Sequence, residues 1–366
     1  MLARGKSYRA KDIELVQFDQ FADQTKQIDQ AWARLDTHDQ DGNVRTVKLQ
    51  CSASLKNGVE DARKNIIGTC KKSFEIEEKT FLRLSSQKSL PVVLFEPNHL
   101  LMLSGSPELR RSYLDDLLEQ LVPRFGTMRR QYKRMLAQRN ALLKQTAKQN
   151  TNYYQPISSE VRSQLFVWNV RLGELAGYVV RERLALIEKI NAIASDIYGE
   201  ISSNDSSMVQ VEYVSSLLAN NTGDGIAVSA DTGSKATAAN YETALLRRFE
   251  QTLERDVMLG YTTAGPHRDD LQVRLNGHLS QESASRGENR TIVLALKIIE
   301  LQLMASSLDV QSPILLLDDV FSELDGKRRH ALTNYLKTYQ TFITTTDADV
   351  VVKHFTESSN IIPTQR

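Results

Sequence analysis

A chain of 366 residues suggests one large domain carrying an insertion, or two domains. It is 41% hydrophobic and 25% charged, which fits a globular protein, and 46 Lys plus Arg balance 45 Asp plus Glu, so bulk charge names no partner. Any electrostatic function must come from local clustering. The N-terminus has no apolar signal core, and no apolar run approaches the ~20 residues of a bilayer span, so the sequence reads as cytoplasmic with no membrane partner. Cys51 and Cys70 stand outside any C-x-x-C or histidine pair. That points away from a disulfide framework or a zinc site and towards a reducing compartment.

Gly5-Lys6-Ser7 looks like the end of a phosphate-binding loop, G-x-x-x-x-G-K-[ST]. With Gly5 as the second glycine, the first would fall before Met1, and the strand that should feed the loop is missing. By itself the segment reads as a polar loop. Residues 31–95 read as strands and turns: AWARLD, the turn-rich THDQDGN, then VRTVKLQCSASL with β-branched residues at alternating places. DTHDQDGN mimics a calcium loop, but with Gly42 at the sixth position Lys48 falls where a bidentate glutamate is required. A hairpin turn is expected there, and a buried strand at LPVVLF. From about 107 the period becomes helical, with Pro107 suited to a first turn and Leu114, Leu117, Leu118 and Leu121 on one face. Further helices are predicted over about 124–148, 158–200 and 240–258. Between the last two lies a polar, small-residue stretch, 201–239, with one strand candidate, VQVEYV. The remainder alternates: strand LQVRL, helix 286–305, strand PILLLD, helix 325–338, strand TFITTT. Such alternation implies a mostly parallel sheet covered by helices, an α/β head interrupted by a helical insertion.

The predicted helix and its approach, 121–150, contain no Asp or Glu but carry Arg124, Arg129, Arg130, Lys133, Arg134, Arg139, Lys144 and Lys148. Phe125, Met128, Tyr132, Met135, Leu136, Leu142 and Leu143 gather on one stripe, and the cations lie mainly opposite, with Arg139 the exception on the apolar side. Charges of one sign repel and need a counter-charge. A phosphate backbone supplies it through counterion release, without base specificity. Arg129, Arg130, Lys133, Arg134 and Lys144 are therefore the candidate DNA contacts. A solvated face or an acidic protein partner remain the alternatives.

In PILLLDDVFSELDGKRRHAL (313–332) an apolar strand, Ile314 to Leu317, closes on Asp318 and Asp319. A buried strand ending in an aspartate cap would look the same. In a nucleotide site the first aspartate can hold Mg²⁺ and the second can orient or deprotonate the attacking water. Upstream, Ser283-Ala284-Ser285-Arg286-Gly287-Glu288-Asn289-Arg290 precedes an apolar helix. Small residues and a glycine at a helix start offer free N–H groups and a favourable dipole to phosphate, or simply a cap.

At these residues the sequence resembles the RecF family of bacterial recombination mediators, which have an ABC-type ATPase head. Pro97-Asn98-His99, Gly105-Ser106-Pro107-Glu108-Leu109-Arg110-Arg111-Ser112-Tyr113-Leu114-Asp115, Gln138 to Lys144, Thr262 to Leu271 and Leu317 to Asp325 match its signatures in order, with Asn98 where the family has an acid. The resemblance implies an ABC-type head with a mostly parallel sheet: its N-terminal part over 1–105, a helical arm over 106–254 and its C-terminal part over 255–366. It further implies ATP clamped between two heads of a homodimer. Asp318 would bind Mg²⁺ and Asp319 would be catalytic. Ser285, Gly287 and Glu288 would form the signature that touches ATP on the partner subunit, and Ser322 and Asp325 would form the D-loop. Single-stranded and gapped double-stranded DNA and recombination mediator proteins would be partners, in recombinase loading and the SOS response. Thr344-Thr345-Thr346 occupies the switch-loop place without a histidine, which argues against a transporter ATPase. In the family a segment like G-K-S-Y-R lies downstream of the phosphate loop, so the chain is expected to begin late, without its first strands or Walker A. Each lost charge-assisted bond to the triphosphate is worth ~1.5–3 kcal/mol. A nucleotide-independent DNA-binding or scaffold protein is therefore the alternative to a slow ATPase.

Overall fold

The computed structural model describes residues 12–15, 28–38, 44–55, 66–84, 88–149, 157–202, 206–217, 226–228, 234–307 and 312–345. Gly5-Lys6-Ser7, Gly42 with its turn, Thr346 and most of the polar stretch 218–233 lie outside the described residues. Backbone contacts divide the chain into two units, 1–92 with 308–314, and 93–307 with 315–366. Helices from the expected arm and from the expected C-terminal head share one core, in which Leu114, Leu184, Leu294 and Leu332 are all buried.

The first unit holds a 3₁₀ turn (Asp12–Leu15) and strands β1 (Ile28–His38), β2 (Val44–Leu55), β3 (Ile66–Ile76) and β4 (Lys79–Phe81). They form an antiparallel sheet in that order. Period-2 alternation turns Val47, Leu49 and Cys51 inward and leaves Lys48 and Gln50 exposed. Val47, Phe74 and Leu90 make a small core. Glu77 and Glu78 adopt φ of 50° and 63° in the tight β3–β4 turn. The expectation of unpaired cysteines is overturned here. Cys51 and Cys70 are directly opposite in the β2–β3 register, with Cα atoms 4.1 Å apart, and are joined as a disulfide. Register across a hairpin, not a sequence motif, brings them together.

The second unit takes up the chain along β5 (Val92–Phe95), then α1 (Pro107–Leu121), α2 (Phe125–Gln149) and α3 (Ser159–Ser202). Phe125 meets Tyr178, Arg139 bonds Asn169 and Leu143 packs with Leu165, so α2 and α3 run antiparallel. There follow β6 (Val209–Ser215), β7 (Ile226–Val228), α4 (Ser234–Gln251) and α5 (Leu253–Leu259). The single helix expected over 240–258 is broken at Thr252, and α5 ends at Gly260, whose φ of 71° is the left-handed C-cap conformation. The rest is β8 (Asp270–Leu275), β9 (His278–Leu279), the short α6 (Ser280–Ser283), α7 (Arg286–Ser307), β10 (Ile314–Asp318), α8 (Gly326–Leu336) and β11 (Thr341–Thr344).

Two sheets serve this unit. One has the order β11-β10-β5, with β10 and β11 parallel. The other, β7-β6-β8-β9, is antiparallel. The α/β class holds, but LQVRL does not join the parallel sheet. It pairs with VQVEYVS from within the polar stretch, a partner that periodicity could not identify. Helix α7 is buried at every residue from Thr291 to Leu301, as expected of a helix apolar all round and enclosed by neighbours, here α1, α3 and α8. Its two charged residues in that run, Lys297 and Glu300, pair with each other at 2.8 Å. No helix among the described residues is long and apolar enough to cross a membrane.

Candidate functional site

Strand β10 buries Leu315 and Leu317 and delivers Asp318 to the surface at its C-terminal end. The Thr344 hydroxyl, at the matching end of parallel β11, donates to Asp318 Oδ1 at 2.6 Å, and the Asp319 N–H donates to the Thr344 carbonyl at 3.0 Å. Asp319 turns the chain with a φ of 49°. Its Oδ1 is buried and, among the described residues, has no hydrogen-bond partner. Ligands of open α/β sheets bind outside the C-terminal ends of parallel strands, where these two carboxylates stand. The described residues hold no cluster of three His, Cys, Asp or Glu side chains suited to a metal. One or two carboxylates nevertheless fit Mg²⁺, which keeps several waters and takes its remaining ligands from phosphate. Asp318 is the group able to hold it.

Ser285, in the segment expected to be the signature, is exposed, and α7 begins just after it. Ser285 Oγ accepts from the Glu288 N–H at 3.2 Å, and Glu288 Oε2 accepts from the Ser285 N–H at 2.7 Å. This is a reciprocal capping box. Hydrogen bonds from the Ser285 backbone and side chain hold the Glu288 carboxyl below its usual range. The Ser285 bond uses the hydroxyl as acceptor, so its proton is not committed to the cap. Glu288 thus positions the helix start. Gly287 abuts Arg328, whose Nη2 would lie 3.2 Å from an added Cβ.

In the segment expected to form the D-loop, Ser322 Oγ donates to the Asp319 carbonyl at 2.7 Å. Asp325 is the N-cap of α8, accepting from the Arg328 N–H at 3.0 Å and pairing with the Arg328 guanidinium. Its carboxylate is about half exposed.

The basic helix divides its cations. Arg130, Lys133, Arg134, Lys144 and Lys148 are exposed. Arg129, expected among the DNA contacts, is not free. It lies within ion-pair distance of Asp115 (3.0 Å), Asp116 (3.3 Å) and Glu119 (3.0 Å). The counter-charge that α2 lacks in its own sequence comes in part from α1. Arg139, the exception on the apolar side, is wholly buried and bonds Asp256 at 2.8 Å, Asn169 at 2.8 Å and Thr262 at 2.6 Å.

The matched motifs around 105–115 and 262–271 prove to be two halves of one buried polar lattice. Arg110 grips Asp270 through two bonds, at 2.9 and 2.8 Å, and Arg111 donates to the Asp269 carbonyl at 2.7 Å. Arg183 on α3 makes a bidentate pair with Asp115, at 2.8 and 3.0 Å, and donates to the Pro266 carbonyl. Asp269, fully enclosed, accepts from Tyr213, Tyr241 and both the N–H and hydroxyl of Ser216. Burial pushes its carboxyl up, against the pull of those hydrogen bonds. Burial also lowers the His267 imidazole to about 4, with the Thr262 carbonyl opposing and the cations Arg268, Arg111 and Arg139 adding to the effect. Neutral at pH 7, His267 accepts from the Tyr132 hydroxyl at Nδ1 (2.6 Å) and faces the Thr262 carbonyl with Nε2 (3.2 Å). Sequence reading noted the motifs but gave no role to Arg183, Asp269 or His267. The signal available was a charged residue inside an apolar helical stripe, as at Arg183.

No family model matches the chain. Curated relatives do match. A DNA replication and repair protein RecF of Rippkaea orientalis is 34% identical over 277 residues, covering 75% of this chain and 68% of the relative. Another, of Crocosphaera subtropica, is 36% identical over 249 residues, covering 67% of this chain and 61% of the relative. The chain therefore spans about two thirds or less of the length of these relatives. A solved structure of the recombination mediator protein RecF-ATPrS in the RecFOR pathway superposes with a TM-score of 0.70 at 24% identity, covering 95% of this chain and 81% of that one. A second, RecF-ATP in the same pathway, gives 0.68 at 23% identity. The fold is a mixed α/β one with a parallel sheet and helices, like that of the solved RecF structures. The chain belongs to the RecF family.

Proposed function

We propose that this chain acts in DNA replication and repair as a RecF-type recombination mediator. It would bind single-stranded and gapped double-stranded DNA through the exposed cations of α2, assist recombinase loading and contribute to the SOS response. Two copies would close around ATP. In each, Asp318 would hold Mg²⁺ at one nucleotide and Asp319 would orient the attacking water, while Ser285 and Gly287 would meet the nucleotide of the partner subunit. The supporting observation is the buried Oδ1 of Asp319, unpartnered among the described residues, beside the exposed Asp318. A buried carboxylate oxygen without a partner is costly, and a bound water or ligand donor relieves it.

A second reading is a nucleotide-independent DNA-binding protein. It needs only the exposed cations of α2. Fluorescence anisotropy of labelled gapped DNA, titrated with and without Mg-ATP, separates the two. Tighter binding with Mg-ATP, lost in Asp318→Asn, supports the ATP-gated clamp. Equal affinity in both supports the second reading, and no DNA affinity in either sinks both.

A further inference from the structure

One guanidinium joins the signature to the D-loop within a single chain. Arg328 sits in the first turn of α8. Its Nε donates to the Thr291 hydroxyl at 2.7 Å and its Nη2 to the Gly287 carbonyl at 2.9 Å, while Nη1 pairs with Asp325. Thr291 Oγ1 in turn donates to the same Gly287 carbonyl at 3.0 Å. A second strut runs parallel. Arg290 on α7 donates through Nη1 to the Glu323 carbonyl and through Nη2 to Glu323 Oε2, both at 2.9 Å. The chain between these anchors is bonded back to the paired aspartates. Ser322 Oγ reaches the Asp319 carbonyl, Arg329 Nε reaches the Phe321 carbonyl at 2.8 Å, and Asp319 N–H reaches Thr344. The planar guanidinium supplies its donors from three nitrogens in a fixed fork, so it holds a carbonyl, a hydroxyl and a carboxylate at separate points, whereas a lysine offers all its donors from one atom.

We infer that Arg328, assisted by Arg290, is a positioning residue that makes the start of α7 and the segment 318–325 move as one body. This rests on the nucleotide reading given above. In a closed dimer the signature serves one ATP and the paired aspartates serve the other. Occupancy of Asp318 and Asp319 in one subunit would then be felt at Ser285 and Gly287 of that same subunit, and so at the second nucleotide. Coupling of this kind requires an element biased by both sites, and the Arg328 fork is the physical tie between them. Arg328 touches no reacting atom in this scheme.

The test is hydrogen–deuterium exchange followed by mass spectrometry on the full chain, comparing the unaltered protein with Arg328→Ala, Arg328→Lys and Arg290→Gln. Circular dichroism checks that each variant is folded. The Arg328 N–H to Asp325 bond survives these changes, so α8 keeps its cap. Without nucleotide, the tie predicts exchange of 286–292 at least about threefold faster in Arg328→Ala, and only partial rescue by Arg328→Lys. Unchanged exchange in both Arg328→Ala and Arg290→Gln overturns the inference. With Mg-ATP, protection at 315–320 that spreads to 286–292 in the unaltered protein but not in Arg328→Ala supports the coupling. Spread that persists in Arg328→Ala overturns it. No response at 315–320 in the unaltered protein sinks the nucleotide reading, and the coupling with it, while the nucleotide-free comparison still decides the tie itself.

Discussion

Arg139→Met tests the buried charge at the centre of the helical lobe. The guanidinium and its partner Asp256 are both 0% exposed. Arg139 also stacks on Phe249, with Cζ 4.3 Å from the ring centroid. Methionine keeps most of the volume and removes the charge and all three hydrogen bonds. Asp256 then keeps only the Thr263 N–H at 3.1 Å and hydroxyl at 2.6 Å. An uncompensated buried carboxylate costs about 3–5 kcal/mol. Asn169 and Thr262 lose a partner as well, but these losses overlap and are not summed. The expected destabilisation is about 4 kcal/mol, a large share of the ~5–15 kcal/mol that holds a domain folded. Asp256→Leu added to Arg139→Met removes the stranded charge and should recover at least about 2 kcal/mol, a coupling far outside additivity. Urea titration reads this directly. The chain has two tryptophans, so a Trp32→Phe background leaves Trp168 on α3, next to Asn169, as the fluorescent reporter. A single-variant loss under about 1 kcal/mol, or strictly additive losses in the pair, would refute the claim that this ion pair is a buried, mutually dependent unit.

His267 gives a pH prediction. Its folded value near 4 lies below the unfolded 6.5, so the unfolded chain binds the proton more readily. Its contribution is present above about pH 6.5 and is lost as pH falls towards 4, by about 3 kcal/mol at 1.36 kcal/mol per unit. His267→Gln should flatten that part of the stability-versus-pH curve, and parallel curves for both proteins would count against the assignment. On α2, Arg130→Ala with Lys133→Ala should weaken DNA binding and reduce the slope of log K against log salt by about 1.5, whereas Arg129→Ala should leave the slope unchanged. An equal slope change from Arg129→Ala would show that its ion pairs do not withhold it. If the nucleotide reading holds, Asp319→Asn should retain ATP binding while abolishing phosphate release, and a variant that still hydrolyses ATP would remove Asp319 from the chemistry.

What the sequence disclosed and what it hid separate by distance along the chain. Helices α2, α3 and α7 were readable because a 3.6-residue period is a local property and each carries one. The paired aspartates were readable for the same reason, since strand, turn and helix start are contiguous from Ile314 to Gly326. The pairings that organise the second unit are long-range. Asp115 meets Arg183 across 68 residues, Arg139 meets Asp256 across 117, and Arg110 meets Asp270 across 160. No periodicity encodes such partners. This is also why α2 looks like a helix with seven unanswered charges. Its neighbour α1 supplies three carboxylates to Arg129, and α5 supplies one to Arg139. The same logic explains the GPHRDD stretch. Asp269 and Asp270 look like a second acidic pair, comparable with Asp318 and Asp319, yet the environments differ. Asp269 is saturated by four donors and enclosed, and Asp270 is held by a two-bond arginine grip. Asp318 is exposed and Asp319 keeps a vacant oxygen. The two acidic pairs are alike in sequence and differ in what surrounds them, which only the long-range contacts decide.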